Sequence, residues 1–380
     1  MIDKKRLIAT TQKVISINSE NPPGNELVLS KFIEKDLKSA GLEVKTYTYA
    51  KNRPNVVAIL KGSLPRKKAK EEAILITPHI DTVPVGSGWK FDPFGSQIVG
   101  GKLYGRGATD DKGNLASCME VMRSLVEDKV KLRKDVIMAA TVDEETGSKY
   151  GIVSLLEKRV LKAKFALVMD SDEFDTIVVQ KGLMHLRVQI FGKKAHGAYN
   201  WLGINAVEIA AKVIVAISKL KFKYKKHSVL KPPTINIGVI KGGEKVNMVA
   251  DFCEFTIDLR FLPFMDHKNI LKIIKDTIKK ETNRFKILVD DIQFPYEIDK
   301  ENKYVRAYID TAKKMGCSAR CKGSEGATVI SLFKKYNIPA FATGFGAHST
   351  AHATDEYIHV KSLCKGTKVL ERFIREYDLI

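Results

Sequence analysis

The sequence predicts an α/β protein of two domains, and three observations predict it. Apolar runs of strand length alternate with helical periodicity through residues 1–181. A block from Met184 to Asp290 then reads strand, helix, strand, strand, helix, strand. Beyond Phe294 the alternation of the first block resumes. A chain of 380 residues, 44% hydrophobic and 28% charged, has a globular composition and the length to bury two cores.

In order, an amphipathic helix spans Lys4 to Asn18 and stops at NPPG (21–24); a second covers Asn25 to Ala40 and closes on Gly41. Strands are expected at Val56–Lys61, Ala73–Pro78, Val136–Val142 and Phe165–Met169, with helices at Asn114–Glu127 and Ser148–Glu157, giving a mixed α/β layer. The middle block is expected as strand Met184–Phe191, helix Asn205–Leu220, strands Thr234–Ile240 and Asp251–Phe261, helix His267–Glu281 and strand Phe285–Asp290. This β-α-β-β-α-β unit, residues 182–293, reads as an insertion between a first part (1–181) and a second part (294–380) of the other domain. The second part holds helix Lys303–Met315, a Gly-rich turn Lys322–Gly326, helix Ala327–Tyr336, strand Ala340–Thr343 and helix Val360–Glu376. No fixed-period repeat is visible, which excludes a solenoid.

A formal charge of +20 raises the question of nucleic acid. The lysines are dispersed, and the short runs RKKAK (66–70) and KFKYKKH (221–227) read as solvated surface, so specific nucleic-acid binding is not expected. A non-catalytic protein that binds acidic partners through this surface is the rival of another class. No leader pattern and no run of 18 apolar residues occurs, so a cytoplasmic location is expected. The cysteines (118, 253, 317, 321, 364) are odd in number and scattered, and CSARC has no second pair to complete a thiolate zinc site.

The chemistry gathers at strand ends. ILITPHIDTVP places His79 and Asp81 just past an apolar strand, where residues i and i+2 share a face. Asp81 is assigned to orient the His79 imidazole, the usual partner of a ligating histidine. Asp110 and Asp111 precede a helix, Glu144 and Glu145 follow the strand VIMAAT, and MDSDEF follows a fourth strand. Each pair alone reads as a helix cap or an acidic first turn. Recurrence at successive strand ends is harder to explain that way. Imidazole with hard oxygen donors and no thiolate fits catalytic zinc, cobalt or manganese, and a bridging carboxylate would hold two such ions roughly 3.5–4 Å apart.

HIDTVP, GKLYGRGATDDKG, DEETG and GFGAHSTAHATDEYI, in that order, resemble the signature of the dinuclear zinc amidohydrolase and peptidase family, which includes acetylornithine deacetylase, succinyl-diaminopimelate desuccinylase, aminoacylase and glutamate carboxypeptidase. The resemblance implies a zinc-peptidase-like catalytic domain carrying a ferredoxin-like lid and dimerisation domain. It implies two zinc ions, His79 and Asp170 completing one site, Glu145 and His352 the other, Asp110 bridging and a cis peptide following it. Glu144 would be the general base, taking a proton from the attacking water and returning it to the leaving amine. FGKKAHGAYNWLGINA, GGEKVNMVAD and DLRFLP resemble stretches where the family stabilises the oxyanion and contacts substrate, which implicates His196, Asn247 and Arg260. Gly323 and Ser324 stand where a substrate-contacting turn is expected, but GSEGATVI (323–330) departs from the Gly-Thr-Ser-Asp-like pattern of many relatives. The function implied is hydrolysis of an N-acyl amino acid, with acetyl, succinyl or peptidyl substrates all open. MDSDEF resembles the dipeptidase version of the motif.

Several residues read more simply. His348 and His352 form H-x-x-x-H without the following Glu of a metalloprotease helix, and only His352 sits at the family position. His185, His227, His267 and His359 are expected to be packed or surface residues. Asp172 and Glu173 are alternatives to Asp170.

Overall fold

In the computed structural model, which describes Met1–Ile380, the Asp3 carboxylate caps the first helix by accepting from Lys5 N and Arg6 N. Along the chain follow α1 (Lys4–Ser16), α2 (Leu27–Ser39), β1 (Glu43–Thr48), β2 (Pro54–Leu60), α3 (Arg66–Glu71), β3 (Ile74–Thr77), β4 (Ile98–Val99), β5 (Lys102–Tyr104), α4 (Lys112–Glu127), β6 (Val136–Ala140), α5 (Ser154–Glu157), β7 (Phe165–Met169) and β8 (Asp175–Gln180). Next come β9 (Gly182–Phe191), α6 (Ala206–Ser218), β10 (Thr234–Gly242), β11 (Phe252–Phe261), α7 (His267–Lys279), β12 (Phe285–Gln293) and β13 (Tyr296–Glu297). The chain ends with α8 (Lys303–Lys314), β14 (Arg320–Ser324), β15 (Ala340–Thr343), β16 (Tyr357–His359) and α9 (Val360–Tyr377). No helix is long and apolar enough to cross a membrane.

These elements fall into two units: Met1–Val178 with Ile298–Lys322 and Thr328–Ile380, and Val179–Glu297 with Gly323–Ala327. The first holds a mixed sheet in the order β1-β2-β6-β3-β7-β15-β8. β6, β3, β7 and β15 are mutually parallel, whereas β1 and β2 at one end and β8 at the other are antiparallel to their neighbours. ILIT, VIMAA, FALVM and AFAT are buried along their whole length. That is why they read as continuous apolar runs rather than alternating ones. His79 follows β3, Glu144 follows β6 and Asp170 follows β7, so the carboxyl ends of parallel strands deliver them, where open α/β sheets place ligands.

In the second unit the antiparallel order β10-β11-β9-β12 is that of a ferredoxin-like sheet. β11 alternates almost without fault, burying Phe255, Ile257, Leu259 and Phe261. α7 buries Ile270, Ile274 and Ile278 at four-residue spacing onto the same core. Asn205 and Asp266 cap α6 and α7 with their side-chain oxygens.

Some local expectations change. The helix expected over Ser148–Glu157 is a wide turn at Lys149–Val153 followed by the short α5. Gly151 is non-helical there, and a Cβ on it would lie 1.9 Å from the Val142 carbonyl oxygen, so the loop presses onto the end of β6. The expected turn at Lys322–Gly326 is partly strand β14, and the expected helix at Ala327–Tyr336 is a 3-10 helix over Val329–Tyr336. The segment Gly323–Ala327, read from sequence with the second part of the larger domain, packs with the inserted unit: Lys181 N donates to Ser324 O, and Lys181 Nζ lies 2.5 Å from Glu325.

Candidate metal centre

His79, Asp110 and Glu145 bring one ligand atom each to within 4.8 Å of one another. His79 Nε2 lies 2.8 Å from Asp110 Oδ1, while His352 Nε2 lies 3.1 Å from Asp110 Oδ2 and 3.2 Å from Glu145 Oε2. The Asp110 carboxylate therefore stands between two imidazoles, one oxygen toward each. The His79, Asp110 and Glu145 side chains are 3%, 17% and 6% exposed, whereas His352 is 53% exposed.

The surroundings fix these groups through the backbone. The Asp111 carboxylate, fully buried, accepts from His79 N (3.0 Å) and from Asn114 Nδ2 (2.6 Å). Asn114 Oδ1 in turn accepts from Phe345 N. The buried Glu356 carboxylate accepts from Gly107 N, Thr109 N and Asp110 N and pairs with Arg106 at 2.7 Å. The Asp110–Asp111 peptide is cis, as the resemblance implies. Sequence reading gave Asp111, Asn114 and Glu356 no role; for Glu356 the available signal was its place in the HATDEYI motif.

Asp81 departs from its expected part. His79 Nδ1 meets the Asp81 backbone oxygen at 3.0 Å, and the nearest Asp81 carboxylate oxygen is 3.7 Å away. The carboxylate is taken up by Glu144 N (3.0 Å), Glu145 N (3.1 Å) and Asn21 Nδ2 (2.8 Å). It orients the acidic turn, while its own carbonyl is the nearer partner of the imidazole and the carboxylate acts on that ring from the longer distance.

Charge crowding follows from this packing. Burial pushes the Glu144 carboxyl well above its usual range, and the Asp170, Asp110 and Glu145 carboxylates add to that. Burial and the Asp110 charge push Asp170 up to about 7. Asp110 itself is held low against burial by His352 and His79, and His352 is raised to about 10 by Asp110 and Glu145. Burial would lower the His79 pKa, yet Asp110 and Asp81 hold it well above the ordinary value. Of the acids after β7, Asp172 and Glu173 face His348 at 3.4 and 3.5 Å, whereas Asp170 feels the Asp110 and Glu145 charges.

The donor set fits divalent cations. It offers imidazole nitrogen and carboxylate oxygen with no thiolate, a carboxylate with one oxygen toward each imidazole, and more clustered negative charge than the two histidines balance. Cations there would supply Lewis acidity, lowering the pKa of water and polarising a carbonyl.

The remaining expected residues lie in the second unit. His196 starts a 3-10 turn, its Nδ1 accepting from Ala198 N, and bridges to Met248 beside Asn247, whose carbonyl accepts from Gly197 N. Arg260 engages Asp258 at 2.7 and 2.9 Å. Gly323 and Ser324 end β14, and a Cβ on Gly323 would meet Leu230 Cδ2 at 2.6 Å.

Comparison with known proteins agrees with this chemistry. Acetylornithine deacetylase of Vibrio cholerae is 26% identical over 385 residues, covering 97% of this chain and 96% of the relative. A tripeptidase structure from Staphylococcus aureus superposes with a TM-score of 0.83 at 25% identity, each chain covered completely. A dinuclear metal binding peptidase of Bacillus subtilis has a TM-score of 0.74 at 16% identity, with 98% of each chain covered, a likeness of fold. The model of peptidase family M20/M25/M40 matches residues 75–376, which includes all but the first residue of β3, every strand end described above and His352. The chain belongs to that family and is a metal-dependent hydrolase of amide bonds.

Proposed function

We propose that the protein hydrolyses the amide bond of an N-acyl amino acid, with two zinc ions as its metals and cobalt or manganese as substitutes. The observation that carries the reading is the Asp110 carboxylate, one oxygen toward His79 and the other toward His352. In this scheme His79 and Asp170 would hold one ion, Glu145 and His352 the other, with Asp110 shared between them. The extended likeness to a deacetylase supports an acyl amino acid as substrate.

Glu144 is the general base. It lies beside the ligands without being one, and burial together with the Asp170, Asp110 and Glu145 carboxylates raises its proton affinity, which favours a group that takes a proton and returns it. It accepts the proton of the attacking water and delivers it to the leaving nitrogen. Asp81 keeps the Glu144–Glu145 backbone in place. His196 is assigned to the developing oxyanion and Asn247, Arg260, Gly323 and Ser324 to substrate, residues 182–293 acting as lid and dimerisation domain between the catalytic parts 1–181 and 294–380. Arg260 would exchange its Asp258 partner for a substrate carboxylate, which its planar fork also fits. A homodimer in the cytoplasm completes the reading.

A second reading, a dipeptidase or other small peptidase, is favoured by the aspartate at position 170 and by the likeness to a tripeptidase. One assay separates them: elemental analysis of the purified protein together with turnover of N-acetyl and N-succinyl amino acids and of dipeptides, with and without added zinc, cobalt or manganese. Near two metals per chain with release of acetate or succinate supports the first reading. Release of free amino acids from dipeptides replaces it with the second, and absence of metal under every condition overturns both.

A further inference from the structure

The turn that carries Glu144 and Glu145 is gripped from two sides, and only one of them touches the metal centre. On the near side the Asp81 carboxylate takes the two backbone N–H groups. On the far side lies Arg53, in the NRPN segment that opens β2. Its Nη1 donates to Asp143 Oδ1 at 2.8 Å, and Asp143 is the residue immediately before Glu144. The rest of the guanidinium is spent on the fully buried Glu26, with Nη2 at 2.6 Å and Nε at 3.0 Å from its oxygens. Gly24 makes room for the fork. It sits at φ 85°, and a Cβ there would come within 2.6 Å of Arg53 Cζ and Nε.

Asp143 passes the restraint on. Its φ of 68° is left-handed, and its carboxylate also accepts from Thr146 Oγ1 (2.7 Å) and Tyr150 N (2.9 Å). Thr146 Oγ1 accepts from Asn21 Nδ2, which also donates to Asp81. A closed circuit of hydrogen bonds therefore runs from Arg53 through Asp143, Thr146 and Asn21 to Asp81 and back to the Glu144 amide. Such buried networks fix a conformation when every member is satisfied.

We propose that Arg53, braced by Glu26, is a positioning residue for the reaction: through Asp143 it sets the place of the Glu144 carboxylate relative to the metal ligands. This rests on the reading of Glu144 as base. Arg53 touches neither substrate nor metal ligand, so its loss should displace the base without weakening substrate binding, and small misplacements of reacting groups lower rates by about 10²-fold.

The test uses full-length, metal-loaded enzyme and the amide of the panel above that it cleaves fastest. Arg53→Gln and Asp143→Asn should each lower kcat per metal-loaded site about 10²-fold, with KM within about threefold and metal content unchanged. The double variant should fall no further than the worse single one, because both break the same link. Arg53→Lys, which keeps the charge but not the fork, should recover part of the rate. Wild-type kcat in Arg53→Gln, an effect confined to KM, or losses that multiply in the double variant would each overturn the proposal. Should Arg53→Gln fail to fold, Arg53→Lys and Asp143→Asn decide by the same criteria. Glu144→Gln run alongside separates the two readings. If it is active, the base assignment fails whatever Arg53 does; if it is inactive while Arg53→Gln is unimpaired, only the positioning role fails.

Discussion

The protein places the same kinds of side chain in two settings. At the strand ends of the first unit His79, Asp110 and Glu145 are 3%, 17% and 6% exposed. On the sheet of the second unit His185, Asp258 and Arg260 are 44%, 31% and 26% exposed. In the second cluster Asp258 lies between Arg260 at 2.7 Å and His185 at 3.4 Å, and acid and base nearly balance. In the first, burial and then an excess of carboxylates over cationic partners drive Asp170 and Glu144 upward in pKa. Histidine and aspartate side by side are therefore common to both clusters. Burial with an excess of one charge, held by backbone hydrogen bonds, distinguishes a site built for cations from a half-exposed cluster whose charges nearly balance.

The comparison is broken most severely at Asp110. Asp110→Ala removes the carboxylate facing both imidazoles, and loss of metal and of all measurable turnover is expected, read by elemental analysis and assay of one preparation. Glu144→Gln should spare the metal but lower kcat by about 10²–10⁴-fold, the range for a lost general base; a retained rate would remove Glu144 from the mechanism. Stripping the metals should lower the melting temperature of the wild-type protein, because a ligand bound only by the folded state stabilises it, and re-addition should restore it. Ile274→Ala, in the fully buried core of the second unit, should destabilise by about 2–5 kcal/mol while leaving metal content at the wild-type level. Loss of metal in that variant would mean that the two regions are less independent than their separate cores suggest.

The parts of this picture legible in the sequence are those encoded locally. Each buried parallel strand is a short apolar run, and each is followed by its acidic or histidine-bearing turn, so FALVM and AFAT are found at the residues where the structure has them. β1 is not legible in the sequence because EVKTYT is polar and half exposed at the edge of the sheet, and edge strands carry a weak apolar signal. The local pattern around Gly151 is helical, and the reason it is not a helix lies in contact with Val142, outside that pattern. The carboxylates of Asp81, Asp111 and Glu356 act on backbone groups that lie far along the chain. No periodicity reports such a bond, and only for Glu356 does a motif, HATDEYI, point to the residue. Motif order brought His79, Asp110, Glu145 and His352 to notice, and the fold brings them within reach of one another.

The smallest expected effect tests the second cluster. Burial alone would raise the Asp258 carboxyl, but Arg260 and then His185 bring it below the usual carboxylate range. A carboxyl depressed by folding stabilises the native state above its unfolded pKa of about 3.9, and that contribution is lost as pH falls through the lower folded value. Asp258→Asn should therefore cost under about 1 kcal/mol at neutral pH, as for other partly exposed pairs. The difference between variant and wild type should shrink on acidification below about pH 4 and with added salt. Melting curves over that range are the measurement. A loss several times larger, or one insensitive to salt, would mean that this cluster too is held as tightly as the buried one.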